Sequence, residues 1–289
     1  MRLGLVTPVV TRLPRAHGRW EVDAGIEEIA TVARAADRLG YHHLTCSEHV
    51  GIPTAVAEVR GATYWDPLAT LGYVAACTER IRLATHVLVL GYHHPLALAK
   101  RYGTLDRVSG GRLILGVGVG SLAEEFALLG APFEGRGERA DDAIRALRAS
   151  LSEREPAYAG PHFAYDGFVV DPCAVQARVP IWIGGRTARS LRRAVALGDG
   201  WAPFGLTVAE LATLVGRARE TGAWAARREP LEIVLSPDRA LDPIRDADGA
   251  RAAVTALADA GATIVNVRVR SESAAHHTEQ LEAMTSVAA

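Results

Sequence analysis

Several things are scarce in this chain, and each scarcity narrows what it can be. No apolar run reaches the roughly 18 residues of a membrane span, so no membrane partner is expected. Cys46, Cys77 and Cys173 have no paired spacing, which points to reduced thiols in a cytoplasmic protein rather than a disulfide framework. Charge of one sign is missing too: 32 basic against 33 acidic residues give a net charge of −1. Neither a nucleic-acid surface nor an acidic tail is indicated. Lysine is nearly absent, Lys100 being the single one, which we read as a bias of the gene rather than as chemistry. No charged leader or cleavage pattern precedes the apolar run that begins at Leu3, so no secretory signal is expected. There is no internal repeat and no low-complexity segment.

What the chain has is apolar residues, 49% of 289, enough to bury a large core in one α/β barrel or in two small domains. Residues 81–120 organise the rest. Two runs rich in Val, Ile and Leu, 81–90 and 112–119, flank a segment whose apolar residues (Leu96, Leu98, Ala99, Tyr102, Leu105, Val108) recur at helical spacing. The runs are short for buried helices, so they read as strands. Pro95 suits a helix start and Gly110–Gly111 a stop. Strand, crossover helix and strand, all apolar, make a βαβ unit with parallel strands covered on both faces.

The same alternation continues along the chain. Strands are predicted at 2–8, 43–46, 180–183, 199–202, 231–235 and 263–269. Helices are predicted at 22–39, from Pro67 behind an Asp66 N-cap to Cys77, at 138–151, at 188–197, 208–227 and 248–260, and from near Glu272. Residues 51–63 read as a long loop. Residues 155–179 carry four prolines with their neighbours and read as an insertion with a small hairpin around Phe163, Tyr165 and Phe168. Eight strands separated by helices favour a (β/α)8 TIM barrel, one domain over 1–289. Ligands in such folds bind at the carboxyl ends of the strands, so residues placed there are the candidates.

Ser47-Glu48-His49 follows the second strand. An imidazole beside a carboxylate at the rim could move a proton near neutral pH; a loop-capping histidine is the competing reading. Thr85-His86 interrupts an otherwise apolar strand, as functional residues do, although a hydrogen-bonded core histidine would look the same. The run Gly116, Gly118, Gly120 fails the G-x-G-x-x-G pattern because position 121 is Ser. Its remaining meaning, at Gly118 above all, is close approach of a ligand to backbone. Gly184-Gly185-Arg186-Thr187, after the fifth strand, offers free N–H groups, a helix start and a cation to a phosphate; an ordinary turn with Thr187 as N-cap is the alternative. The histidines at 42, 43, 49, 86, 93 and 94 could suggest a metal-dependent hydrolase. Thr7-Pro8 stands where such a site wants a His pair, and later carboxylate ligands are missing, so no metal is expected.

These residues together resemble a known family. The run IRLATHVLVL..HHPL..AK...LD..SGGRLILGVGVGS..EEF..LG, the segment PIWIGG.T..SLRRA..LGDGW and the earlier S-E-H are similar to the bacterial luciferase-like monooxygenase superfamily. The GVGVGS..EEF variant looks most like the group that uses the 5-deazaflavin coenzyme F420, with the FMN-using branch as the near alternative. The resemblance implies a deazaflavin in the barrel mouth and a small-molecule substrate. It implies a homodimer, and a non-prolyl cis peptide in the stretch Thr85-His86-Val87 that backs the ring. Most relatives have a small residue where His86 stands, so His86 would narrow the pocket or contact the ring. Relatives commonly carry S-D-H, whose acid contacts the coenzyme and whose His acts near the ring; here these are Glu48 and His49. Gly184, Gly185, Thr187 and Ala188 match positions that bind the coenzyme phosphate, and Glu124 falls where a polar residue touches the coenzyme. A catalytic Glu of the sugar-phosphate dehydrogenase branch is replaced by Ser121, which argues against that activity. The implied function is an F420-dependent oxidoreductase; an FMN monooxygenase served by a flavin reductase is the alternative.

Overall fold

Parallel strands with apolar residues on both faces have to be covered on both faces, and this chain achieves it by closing its sheet. A computed structural model describes residues 1–14 and 16–288. Its barrel strands are β1 (Arg2–Leu5), β2 (His43–Cys46), β3 (Arg82–Thr85), β4 (Leu113–Gly118), β5 (Ile181–Gly184), β6 (Gly200–Ala202), β7 (Glu232–Leu235) and β8 (Ile264–Val267). Each pairs in parallel with the next, and β8 returns to β1 with Val267 opposite Leu5. The outer helices are α1 (Ile26–Arg38), α2 (Pro67–Cys77), α3 (Pro95–Val108), α4 (Arg136–Ser150), α5 (Ala188–Leu197), α6 (Val208–Arg219), α7 (Ala247–Asp259) and α8 (Ala274–Ala288). This is the (β/α)8 barrel expected from the alternation.

The period of two along each strand sorts side chains between two cores. Leu5, Leu44, Leu83, Leu115 and Val265 point outward and are buried under the helices. Burying each such side chain stabilises by about 1.5–3 kcal/mol. Ala84, Ile114, Trp182, Ala202, Val234 and Ile264 point inward and form a separate cluster in the barrel. Small inward residues make room there for Trp182 and for His43, whose ring leaves no space for any side chain at Gly4.

The amino-end face is held by aspartates, two of them, Asp37 and Asp106, buried. Asp37 accepts from the N–H groups of Glu79, Arg80 and Ile81, at 2.6–3.0 Å, where the chain turns into β3. Asp106 accepts from Leu113 at the start of β4, and Asp199 from Ile181 at the start of β5. Strand entries thus have their polar groups satisfied by side chains. The opposite face is left to chemistry.

Three expectations need correction. Residues 51–63 are not simply a loop: they hold a helix, Thr54–Arg60, and a strand, Thr63–Tyr64, antiparallel to Thr11–Arg12. Ala, Val and Glu are adequate helix formers, and Gly61 ends the helix at φ +79°. The helix predicted over 208–227 stops at Arg219, because Thr221 caps a separate short helix, Gly222–Ala225. The hairpin in the insertion pairs Tyr158–Ala159 with Ala164–Tyr165, so Phe168 lies beyond it and is exposed. Asp142 of α4 fastens the hairpin, accepting from Tyr158, His162 and Phe163.

Candidate active site

The barrel mouth is built outward from an interruption in β3. After Thr85 the chain makes a cis peptide between His86 and Val87, then pairs again with β4 through Leu88–Val89. The cis bond falls in the stretch where the family resemblance put one. Ser47, just past β2, donates its hydroxyl to the His86 carbonyl at 2.7 Å. The His86 ring crosses the mouth, and its Nε2 lies 3.4 Å from the Ala202 carbonyl on β6. It lies deep yet partly accessible, and burial holds its pKa below the ordinary imidazole value. Val87 reaches β4 and β5. A methyl group on Gly118 would lie 2.7 Å from one Val87 methyl, and one on Gly184 would lie 2.6 Å from the other. The glycines at these strand ends therefore admit Val87, where the sequence suggested room for a ligand. Thr85 turns to the barrel wall, its hydroxyl donating to the Gly116 carbonyl at 2.8 Å.

His49 stands at the carboxyl end of β2, partly exposed, its ring centre 4.4 Å from that of Tyr64 in an edge-to-face arrangement. Its Nδ1 is 2.8 Å from Glu125 Oε2. Glu125 is buried and also accepts from the Tyr92 hydroxyl at 2.7 Å and from the N–H groups of Val50, at 2.5 Å, and Gly51, at 3.1 Å. Burial alone would raise its pKa. The hydrogen bonds from Tyr92, His49 and Gly51 outweigh burial and leave it below the usual carboxylate value. An ionised Glu125 can only accept, so His49 Nδ1 carries a proton and, in the neutral ring, Nε2 is the accepting nitrogen.

Sequence reasoning missed Glu125 and Tyr92 and singled out Glu124, which is exposed on the short helix Ala123–Leu128. A signal existed: Leu122, Glu125 and Phe126 share the i, i+3, i+4 face, and all three are buried. Glu48 is beside His49 in sequence but not in its network. Its Oε2 accepts from Val89 N–H at 2.7 Å and its Oε1 lies 2.6 Å from His93 Nε2, so its carboxylate holds the loop behind the cis peptide.

Opposite β2, Gly184 ends β5 and Gly185 adopts φ +116°, a conformation suited to glycine, with Ser190 packed where a side chain would go. Thr187 is the N-cap of α5, its hydroxyl accepting from Ser190 N–H. The N–H groups of Arg186, Ala188 and Arg189 find no acceptor among the described residues, and the Arg186 side chain is exposed. Among the described residues no group of three or more His, Cys, Asp or Glu is gathered as a metal would need.

Residues 1–288 match the family described as luciferase-like monooxygenase. The chain belongs to that family. An uncharacterised protein of Mycobacterium tuberculosis is 30% identical over 227 residues, covering 72% of this chain and 76% of the relative. Solved luciferase-like structures share the fold at low identity. A monooxygenase from Streptomyces bottropensis superposes with a TM-score of 0.78 at 20% identity, over 99% of this chain and 98% of its own. An F420-dependent secondary alcohol dehydrogenase in complex with an F420-acetone adduct gives 0.76 at 13%, over 100% and 99%. A putative coenzyme F420-dependent oxidoreductase of Mycobacterium tuberculosis is 31% identical over 174 residues, covering 56% of this chain and 49% of the relative. Among the described residues no helix is long and apolar enough to cross a membrane.

Proposed function

We propose that the protein is an F420-dependent oxidoreductase that exchanges a hydride between the deazaflavin and a small organic substrate. The observation that carries this reading is the pairing of His49 with Glu125 on one wall of the mouth and, on the other, Arg186 with N–H groups that have no acceptor among the described residues. Free backbone donors at a helix start and an exposed guanidinium suit a phosphate. Gly185, Arg186, Thr187 and Ala188 would hold the coenzyme phosphate, and the His86-Val87 segment would back the ring. The solved F420-dependent alcohol dehydrogenase of the same fold supports the choice of deazaflavin, as does the GVGVGS..EEF pattern. Bound there, the coenzyme supplies two-electron hydride chemistry. The protein contributes position and proton management. His49 Nε2 takes a proton from the substrate or returns one, and Glu125 holds the ring in the tautomer that makes this possible. Glu48 keeps the loop behind the coenzyme in place.

Titrating purified protein with F420 and, separately, with FMN while following coenzyme fluorescence tests the assignment. Tight, saturable F420 binding without FMN binding is the expected outcome; the reverse would make the protein a flavin monooxygenase dependent on a reductase. Once a substrate is in hand, His49→Ala should leave the coenzyme dissociation constant unchanged and lower kcat by about 10²–10⁴. Unaltered turnover would remove His49 from the mechanism.

A further inference from the structure

β8 is followed at once by a cation, Arg268, that no described residue pairs. Ile264 lies in the cluster inside the barrel, while Val265 and Val267 join the outer core. The period of two places Asn266 and then Arg268 on the inward file. Val6 N–H donates to the Val267 carbonyl at 2.8 Å, so Arg268 stands just past the carboxyl ends of both β8 and β1, at the mouth. Burial lowers the pKa of five arginines: Arg82, Arg112, Arg148, Arg227 and Arg268. The first four each donate to at least two acceptors. Among the described residues the Arg268 guanidinium, half-buried, donates to none and forms no ion pair. Glu21 is the acidic group that favours its charge. That carboxylate is committed elsewhere, accepting from Val9 and Gly18 N–H, each at 2.7 Å. A partly desolvated guanidinium without a partner carries a cost that an anion arriving from the mouth would offset.

We propose that Arg268 is the anchor for an acidic group of the substrate, a carboxylate or a phosphate. The substrate is then an organic acid or phosphate ester, gripped at the β8 wall with its reacting end toward His49. This anion site is distinct from the one at the start of α5, which lies three strands away. The inference deepens the coenzyme reading and rests on it for the orientation toward His49, but the anchoring itself can be measured without it.

The test follows melting temperature with inorganic phosphate, with benzoate and with uncharged benzamide as the control. It is run on protein saturated with F420, so that the coenzyme fills its own phosphate site, and repeated without coenzyme. Phosphate or benzoate should raise the melting temperature of the loaded wild type and benzamide should not. The larger of the two shifts names the acid class. Arg268→Gln should abolish the shift while holding the F420 dissociation constant within twofold, and Arg268→Lys should keep part of it, which shows that the site and not the fold was altered. An anion shift equal in wild type and Arg268→Gln, or absent from both, overturns the proposal. So does a tenfold weaker F420 affinity in Arg268→Gln, which would place the guanidinium on the coenzyme. If no coenzyme binds but the anion shift still depends on Arg268, the anchor stands and the F420 reading falls.

Discussion

Glu124 and Glu125 are neighbours in sequence and opposites in environment. One faces water; the other collects a histidine, a phenol and two backbone N–H groups around a buried carboxylate. Replacing Glu125 should therefore act on both stability and chemistry. Glu125→Ala leaves buried donors without an acceptor, at about 1–3 kcal/mol for each orphan, a loss that urea denaturation reads directly. Glu125→Gln keeps the shape, loses the charge that fixes the His49 tautomer, and should lower kcat by ten- to a hundredfold with coenzyme affinity intact. If its pH–rate profile matches that of the wild type, Glu125 does not position His49. Titration of the same carboxylate bears on stability. Its folded pKa lies below the ordinary 4.5, so the folded state favours the ionised form. The stabilisation is present above pH 4.5 and fades as the pH falls through the lower folded value.

At the scale of the element, β3 is where local pattern and structure part. The largely apolar run 81–90 reads as one strand, but the strand ends at Thr85 and pairing resumes at Leu88 with the cis peptide between. The interruption is accommodated by neighbouring elements: Gly118 on β4 and Gly184 on β5 leave space for the two Val87 methyls. Gly184→Ala should cost about 1–3 kcal/mol by overpacking, measured by equilibrium denaturation. Val87→Ala in the same chain should recover part of that loss, since contacting sites are not additive. Full additivity of the two substitutions would mean that the Gly184 position does not exist to admit Val87. Element ends were legible where capping chemistry is local, as with Asp66 before Pro67, whose carboxylate accepts from Ala69 N–H at 2.9 Å. They were less legible in residues 51–63, where a short helix without buried residues leaves no apolar periodicity to read.

At the scale of the whole molecule, buried histidines set how stability depends on pH. His42 is held at a pKa of about 4 by burial and then by Arg2. His277, bonded through Nδ1 to Ser271 at 2.9 Å, is held at about 4 by burial and then by His276. Both are neutral in the folded chain and take up protons on unfolding, so the unfolded state gains as the pH falls from the ordinary 6.5 toward 4. Stability should therefore decline across that window, before the carboxylates titrate. His277→Gln keeps a polar side chain and cannot charge, so it should flatten this arm of the stability–pH curve followed by urea unfolding; an unchanged arm would assign the proton uptake elsewhere. The barrel interior offers a second test. Trp182 is almost wholly buried there and donates Nε1–H to Glu232 at 2.8 Å. Trp182→Ala should cost about 3–5 kcal/mol, and a cost below 1 kcal/mol would mean that the inner core collapses around the gap.

Hydropathy period, helix caps and glycine positions are written along the chain, each set by interactions within a few residues. From them come the alternation of strands and helices, the barrel, and the two strand ends after β2 and β5 that line its mouth. What each polar side chain does there depends on partners tens of residues away: Glu125 on His49 across 76 positions, Glu48 on His93 across 45, His86 on Ala202 across 116. Glu48 and Glu124 look as available as Glu125 in one dimension. Only closure of the barrel, by bringing remote donors to one carboxylate and leaving the Arg268 guanidinium without an acceptor among the described residues, decides which charges are spent on structure and which stay free at the mouth.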